Sequence, residues 1–314
     1  MSDLPTRLRS FVQQFAPTPV LDGLRAARSR IRRLRRNLRS EITRAQLVAD
    51  LRAGGICEGD TLMVHCSLKS IGNVQGGAAT VVQALMETVT DRGNLLLPAF
   101  TNAAEVIERS QRGDPVDLRT EPSKTGKVTE FFRTWPGVRR SSHPFESVCA
   151  WGKDAAYVIA GHESEPKICH GNSPFARLVE LQGKVVGLGI SLGPVTFYHF
   201  VEDTWEGFPL DNYLPEVSVT YVDERGKSVT RGVKRYDPLR TTTRIDMPSA
   251  VWLRGFMTQH LDEKGLRRRF GFGDATAWVI SADAFYDEIV ELAKSGLTIY
   301  TTQSQWESRA SSAQ

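Results

Sequence analysis

The feature that most constrains this chain is a strand, loop, helix, strand succession between Thr61 and Pro98. Residues 61–65 form a short apolar run, the pattern of a strand covered on both faces. A glycine-rich turn follows at 72–77, and residues 80–89 place Val81, Val82, Leu85 and Val89 on one helical face. Asn94–Pro98 is the next strand. A helix between two strands implies a crossover, and crossovers set strands parallel in a sheet that helices cover. The expected fold class is therefore α/β, with a central, mostly parallel sheet. Thr43 is placed to cap a helix over 45–53 that stops at Gly54-Gly55. Further strands are expected at 147–151 and 185–188. Val217–Val222 and 228–234 should add a β-hairpin turned at Asp223-Glu224-Arg225-Gly226. A helix over Ala282–Lys294 should end near Gly296, and the polar tail from Glu307 should be disordered.

Charge divides the chain unevenly. Its formal net charge is +4. Residues 1–40, however, carry ten arginines against Asp3 and Asp22, so the remainder is mildly acidic. We read a basic helical arm (1–40), a body (41–305) and a short tail (306–314). In the arm, Leu24, Ala27, Ile31, Leu34 and Leu38 recur at intervals of three and four among the arginines, as in an amphipathic helix. That seam suits packing on the body, self-association with a second copy, or peripheral contact with anionic lipid. No aromatic residues interleave with the arginines of that helix, so no nucleic-acid partner is expected. Residues 1–15 lack the apolar core of a signal peptide, and no run is long enough to span a bilayer; a cytoplasmic location is expected. The four cysteines, Cys57, Cys66, Cys149 and Cys169, form no CxxC pair. Neither a disulfide framework nor a metal site is expected.

Four segments carry chemistry. His65-Cys66-Ser67-Leu68-Lys69-Ser70-Ile71-Gly72, with Gly76-Gly77, runs from a strand into a small-residue loop and a helix start. Backbone N–H groups there suit a phosphate-bearing ligand, although an ordinary tight turn has the same look. It is neither a Walker loop nor GxGxxG. His143 precedes Pro144, which holds it extended in a polar run entering a strand. Ser173 can cap a helix with Pro174 at its first position and Phe175 next. Finally, if Thr196 caps a helix, His199 shares a face with Glu202 and Asp203 at i+3 and i+4, while Phe197, Phe200 and Val201 turn inward. An imidazole held by a carboxylate is the usual general base. An incidental surface pair is the plain alternative.

These segments, in this order and spacing, resemble the aminoglycoside 3-N-acetyltransferase family, the antibiotic N-acetyltransferases. The likeness extends over about 43–282. Its specific parts are 62–68 with Ile71-Gly72 and Gly76-Gly77; Pro122-Ser123-Lys124-Thr125-Gly126; Arg140-Ser141 with His143-Pro144 and Ala150-Trp151-Gly152; Ser173-Pro174-Phe175; and 196–202. The resemblance implies an α/β fold distinct from the GNAT superfamily, acetyl-CoA as donor, and an amine-bearing sugar as acceptor. It implies that His65, Cys66, Ser67, Ser70, Ile71, Gly72, Gly76 and Gly77, together with Ser173, Pro174 and Phe175, cradle CoA. His199 would be the base and Glu202 its orienting partner. His143 would line the cleft, with Asp203 and Glu206 on the acceptor side, and transfer would be direct. Cys66 stands where members often have Ser, which leaves a Cys nucleophile as an alternative. Leu192-Gly193-Pro194-Val195 stands where many relatives carry a polar Asp-Ser-Asn stretch before the Thr. The acceptor thus stays open between an aminoglycoside and an amino sugar of polysaccharide or secondary-metabolite biosynthesis. Transfer to a hydroxyl and a non-catalytic CoA-binding scaffold are the remaining readings.

Overall fold

The computed structural model describes residues 40–312; the arm expected over 1–40 lies outside them but for its last residue. Thr43 Oγ1 accepts from the Gln46 N–H (3.3 Å) and starts helix α1, Arg44–Ala53, which stops at Gly54. Strand β1, Thr61–Cys66, runs into the short helix α2, Leu68–Ile71, then α3, Ala78–Val89, and β2, Asn94–Pro98. The chain continues through α4 (Ala103–Gln111), α5 (Lys127–Arg133), β3 (Arg139–Arg140), β4 (Val148–Gly152), α6 (Ala155–Ile159), α7 (Pro174–Glu180) and β5 (Lys184–Leu188). After α8 (Tyr198–Thr204) come β6 (Val217–Val222), β7 (Ser228–Val233), α9 (Val251–Glu263), β8 (Arg268–Phe272), β9 (Ala275–Ser281), α10 (Ala282–Lys294) and α11 (Gln303–Ser312).

Seven strands form one sheet in the order β3-β4-β2-β1-β5-β9-β8. Only the central trio is parallel, β1 pairing with β2 and β5; every other neighbour is antiparallel. The expectation of a mostly parallel sheet is corrected to a mixed one. The reason lies at the edges. β8 and β9 close a tight hairpin at Gly273-Asp274, Gly273 taking φ +57°, a turn that forces antiparallel pairing. β6 and β7 stand apart as a two-stranded sheet over a small core of Val106, Val116, Leu118, Phe145 and Tyr221.

Side-chain alternation along the strands feeds two cores. Leu62, Val64, Val186 and Leu188 face one layer with α1, α3 and α5, while Met63 and Val185 face the other with α7, α8 and α10. Burial on both faces is why these strands read as continuous apolar runs. The tail departs from expectation, since 303–312 form α11. Trp306 sets its ring against Phe256 (centroids 5.6 Å apart), and Arg309 hydrogen-bonds the Gly296 carbonyl. One aromatic anchor suffices to hold a polar helix that composition alone reads as unstructured. Among the described residues no helix is long and apolar enough to cross a membrane.

Candidate active site

A cavity of about 340 Å³ opens beyond the carboxyl ends of β1 and β5, where ligand sites of such sheets commonly lie. α8 brings His199 to its wall. The helix is fixed there by aromatic packing, with Phe197 stacked on Phe285 (5.7 Å) and Tyr198 edge-on to the same ring (5.2 Å). Thr196 does not cap it through its side chain. The Thr196 carbonyl accepts the His199 N–H (3.1 Å), and its hydroxyl lies at the cavity wall without a partner. The helix begins at Tyr198, and the residue at its N-cap is Phe197, whose dihedrals are already helical and whose side chain makes no capping hydrogen bond.

His199 Nδ1 donates a hydrogen bond to Glu202 Oε2, and the other carboxylate oxygen accepts from Asn212 Nδ2 (3.1 Å). Tyr236 lies against the imidazole, ring centroids 4.5 Å apart. With Nδ1 holding its proton for Glu202, Nε2 is the nitrogen left to accept one. Burial alone would lower the His199 pKa, but the charge of Glu202 and its hydrogen bond outweigh that and raise it. The i+3 pair expected from sequence is thus present, buried, and braced by a third residue.

His65 and Cys66, at the end of β1, line the same cavity. Burial pushes the Cys66 thiol up to about 12 and holds His65 down at about 4, so both are uncharged at neutral pH. The rest of the loop after β1 is placed differently. The Ser67 N–H is spent on the Leu188 carbonyl (2.9 Å), Ser67 and Ser70 hydroxyls bond each other (2.9 Å), and Ile71 is core. Gly72 packs against Asp274 and Ile42, with no space for a Cβ. Gly76 lies in the turn before Gly77, and Gly77 caps α3, whose first residue, Ala78, lines a second, open groove of about 630 Å³. Ser123, Lys124, Gly126, Lys127, Phe131 and Thr134 form the remainder of that groove with Glu130. Thr125 faces the first cavity instead, so the Ser123-to-Lys127 turn joins the two spaces. Ser173 caps α7 by accepting from Ala176 N–H (3.4 Å); Pro174 and Phe175 are buried, and none of the three lines either space.

His143 is corrected from a cleft residue to a core one. It is buried, stacked on His162 (5.0 Å), and its Nδ1 accepts the backbone N–H of Glu146 (3.0 Å). It shapes the turn that presents Glu146 to the cavity. Asp203 is equally occupied, its Oδ2 accepting from Cys169 N–H (2.9 Å) and the Tyr213 hydroxyl (2.8 Å). Glu206 is on the exposed surface and not on the cavity wall. Gly193, Pro194 and Val195 do line the cavity, so the apolar stretch noted in the sequence forms part of its wall.

Three ionisable groups on the wall escaped the sequence reading. Arg244 grips Asp246 through Nε (2.6 Å) and Nη2 (2.8 Å), and Glu146 stands near them. Glu146 sat inside a segment already singled out for its histidine; an acid between Phe145 and a buried strand was the available signal. Arg244 and Asp246 lie in an irregular loop whose sequence announces nothing. Among the described residues no group of three His, Cys, Asp or Glu side chains is arranged to hold a metal ion.

The model of the aminoglycoside 3-N-acetyltransferase family matches residues 63–294. The chain belongs to this family. It is 36% identical over 174 residues to the aminoglycoside N(3)-acetyltransferase III of Pseudomonas aeruginosa, and 32% identical over 178 to the SPbeta prophage-derived aminoglycoside N(3')-acetyltransferase-like protein YokD of Bacillus subtilis (strain 168). Each match takes 51% of this chain and spans 63% and 64% of those curated relatives respectively, short of two thirds of their length. Among solved structures, that of AAC-IIIb binary with CoASH superposes with a TM-score of 0.71 at 26% identity, covering 84% of this chain and 100% of that one. AAC-VIa bound to sisomicin gives 0.70 at 25% identity, covering 82% and 98%. The α/β fold is that of this family.

Proposed function

We propose that this chain is an acetyl-CoA-dependent N-acetyltransferase that moves the acetyl group directly onto an amine of an aminoglycoside or amino sugar. The observation that carries the reading is the buried Asn212–Glu202–His199 relay with Nε2 left free at a cavity wall. An ammonium cannot attack, so the acceptor nitrogen must shed a proton as it reaches the thioester carbon. His199 Nε2 takes that proton while the new N–C bond forms and the C–S bond breaks. The products are the amide and the CoA thiol. Glu202 steadies the imidazolium that results. The related structure of AAC-IIIb with CoASH and the groove beside the Ser123-to-Lys127 turn support the donor. Lys124 and Lys127 give that groove cationic groups for phosphates, and Gly126 leaves its backbone open, since even a Cβ there would meet no neighbouring atom within 4 Å. A thiol pushed up to about 12 argues against Cys66 as a nucleophile.

The test is thiol release from acetyl-CoA in the presence of an amine panel, with product mass spectrometry. His199→Ala should lower turnover by about 10² or more while CoA still binds. Full turnover in that variant would remove His199 as base. Tight acetyl-CoA binding without turnover on any amine would instead identify a scaffold, and an ester product would identify O-acylation. For the basic arm we keep lipid contact and self-association. Deleting residues 1–40 should abolish vesicle binding in the first case and change the oligomer mass in the second.

A further inference from the structure

Charge at the cavity wall is nearly all internally matched. Arg244 holds Asp246 with two hydrogen bonds, and Glu202 holds His199. Glu146 is the exception: no group among the described residues hydrogen-bonds or ion-pairs its carboxylate. Its backbone is rigid, the N–H fixed on His143 Nδ1 and the preceding carbonyl accepting from the Thr101 N–H (2.8 Å) and hydroxyl (3.1 Å). A carboxylate without a partner in a partly enclosed space either takes up a proton or is met by a cation from elsewhere.

Space sets a second limit. At about 340 Å³ the cavity is near the lower end of small-molecule sites, which run to roughly 1,000 Å³. Much of its wall is apolar, including Val64, Ile190, Pro194, Val195, Ile245 and Ile299. Exposed acids such as Glu206 and Asp211 lie outside it. A second or third ammonium would find no unmatched carboxylate inside.

We propose that Glu146 receives the acceptor's ammonium group, which gives up its proton to His199 Nε2 as it attacks, and that the acceptor is a single-ring amino sugar bearing one cationic group and not a polyamine. This rests on the acyltransferase reading. Burial lifts the Glu146 pKa to about 7; His199 and Arg244 pull it down while Asp203 and Glu202 push it up. The charged, amine-binding form therefore grows in as pH rises through about 7.

Steady-state kinetics with acetyl-CoA test the proposal, using free and nucleotide-linked monoamino hexoses against aminoglycosides with several amines. Monoamines should show the larger kcat/KM, by at least about 10-fold. Glu146→Gln, close in shape, should raise the monoamine KM by about 10- to 100-fold, the loss of a charge-assisted hydrogen bond. The acetyl-CoA KM should stay within about 3-fold. The wild-type acceptor KM should fall as pH rises through 7, and the Gln variant should lose that dependence, with partial recovery in Glu146→Asp. Turnover with an unchanged acceptor KM in Glu146→Gln, or polyamines preferred over monoamines, overturns the proposal. If neither class releases thiol, the acyltransferase reading fails by itself. Calorimetric titration of the same monoamine sugars then decides: binding that Glu146→Gln abolishes supports the site, and equal or absent binding refutes it.

Discussion

Glu202→Gln should be more damaging than Glu202→Ala, and the geometry says why. In the native relay Asn212 Nδ2 donates to Glu202 Oε1, and His199 Nδ1 donates to Oε2. A glutamine at 202 can satisfy Asn212 only by turning its carbonyl oxygen toward it. Its amide NH2 then faces His199 Nδ1, which must accept. The imidazole proton moves to Nε2, and the nitrogen at the cavity can no longer take a proton from the acceptor. Loss of the correct tautomer in a comparable relay costs about 10⁴ in kcat, and general-base catalysis as a whole contributes about 10²–10⁴. A fall of about 10³ or more in kcat is expected for Gln, with the acetyl-CoA KM little changed. Alanine leaves the tautomer free to choose and should cost less, about 10- to 100-fold. The assay is thiol release monitored with a chromogenic reagent, with thermal unfolding recorded for each variant. A glutamine variant retaining more than a tenth of kcat, or one more active than alanine at equal stability, would refute the assignment of Nε2 as base.

His162 is fully buried between the Ser141 hydroxyl (2.7 Å) and the Ile168 carbonyl (2.8 Å), and burial holds its pKa down to about 3. The unfolded chain takes up a proton there below about pH 6.5 and the folded chain does not, so stability falls as pH falls through that window. The stability advantage of wild type over His162→Gln should shrink by about 2 kcal/mol between pH 6.5 and 5; parallel curves in denaturant titrations would contradict the buried neutral imidazole. Direct transfer predicts that mixing the protein with acetyl-CoA alone leaves no acetyl adduct on Cys66 by intact mass, and an adduct would reinstate a Cys nucleophile. Gly187→Ala places a methyl inside the Trp278 ring, which crosses over it from β9. Overpacking should cost about 1–3 kcal/mol, read as a lowered Tm, and an unchanged Tm would mean the ring has room to move.

What the sequence made legible follows locality. α1, α3, α10, β1, β2 and β5 were readable because each is written in consecutive residues as a cap, a period or an apolar run. The His199–Glu202 pair was readable for the same reason, both residues lying on one short helix. The β8–β9 hairpin is signalled only by the short Gly273-Asp274 turn, so the sheet reads from sequence as more parallel than it is. Asn212 reaches Glu202 from a loop with no pattern of its own, and Arg244 and Asp246 come from another. His143 misled for a physical reason. A histidine in a polar run next to a strand looks available, but here it is stacked against His162 and spends Nδ1 on the backbone N–H of Glu146. Its segment faced the cavity through the acid three residues on.

The apolar acceptor wall and the Arg244–Asp246 pair are mechanically one device. A Cβ at Gly193 would stand 2.9 Å from Arg254 Cδ and 3.3 Å from the Ile245 carbonyl oxygen, so the Arg254 side chain would have to shift to admit one. Arg254 crosses there to donate from Nη1 to the carbonyls of Ile245 and Met247, both at 2.6 Å. Those two bonds fix the loop that holds Arg244 and Asp246 against the cavity. A bulky polar residue at 193 would therefore displace Arg254 and loosen the ion pair as well as change the wall. Arg244 is in turn one of the two positive charges, with His199, that restrain the Glu146 pKa, and losing its position would raise that pKa further. The residue that tells this wall apart from a polar one and the carboxylate that we assign to the acceptor are thus coupled through a single arginine on α9. If Glu146 receives the acceptor as proposed, that brace bears on acceptor choice as much as the groups that touch the cavity.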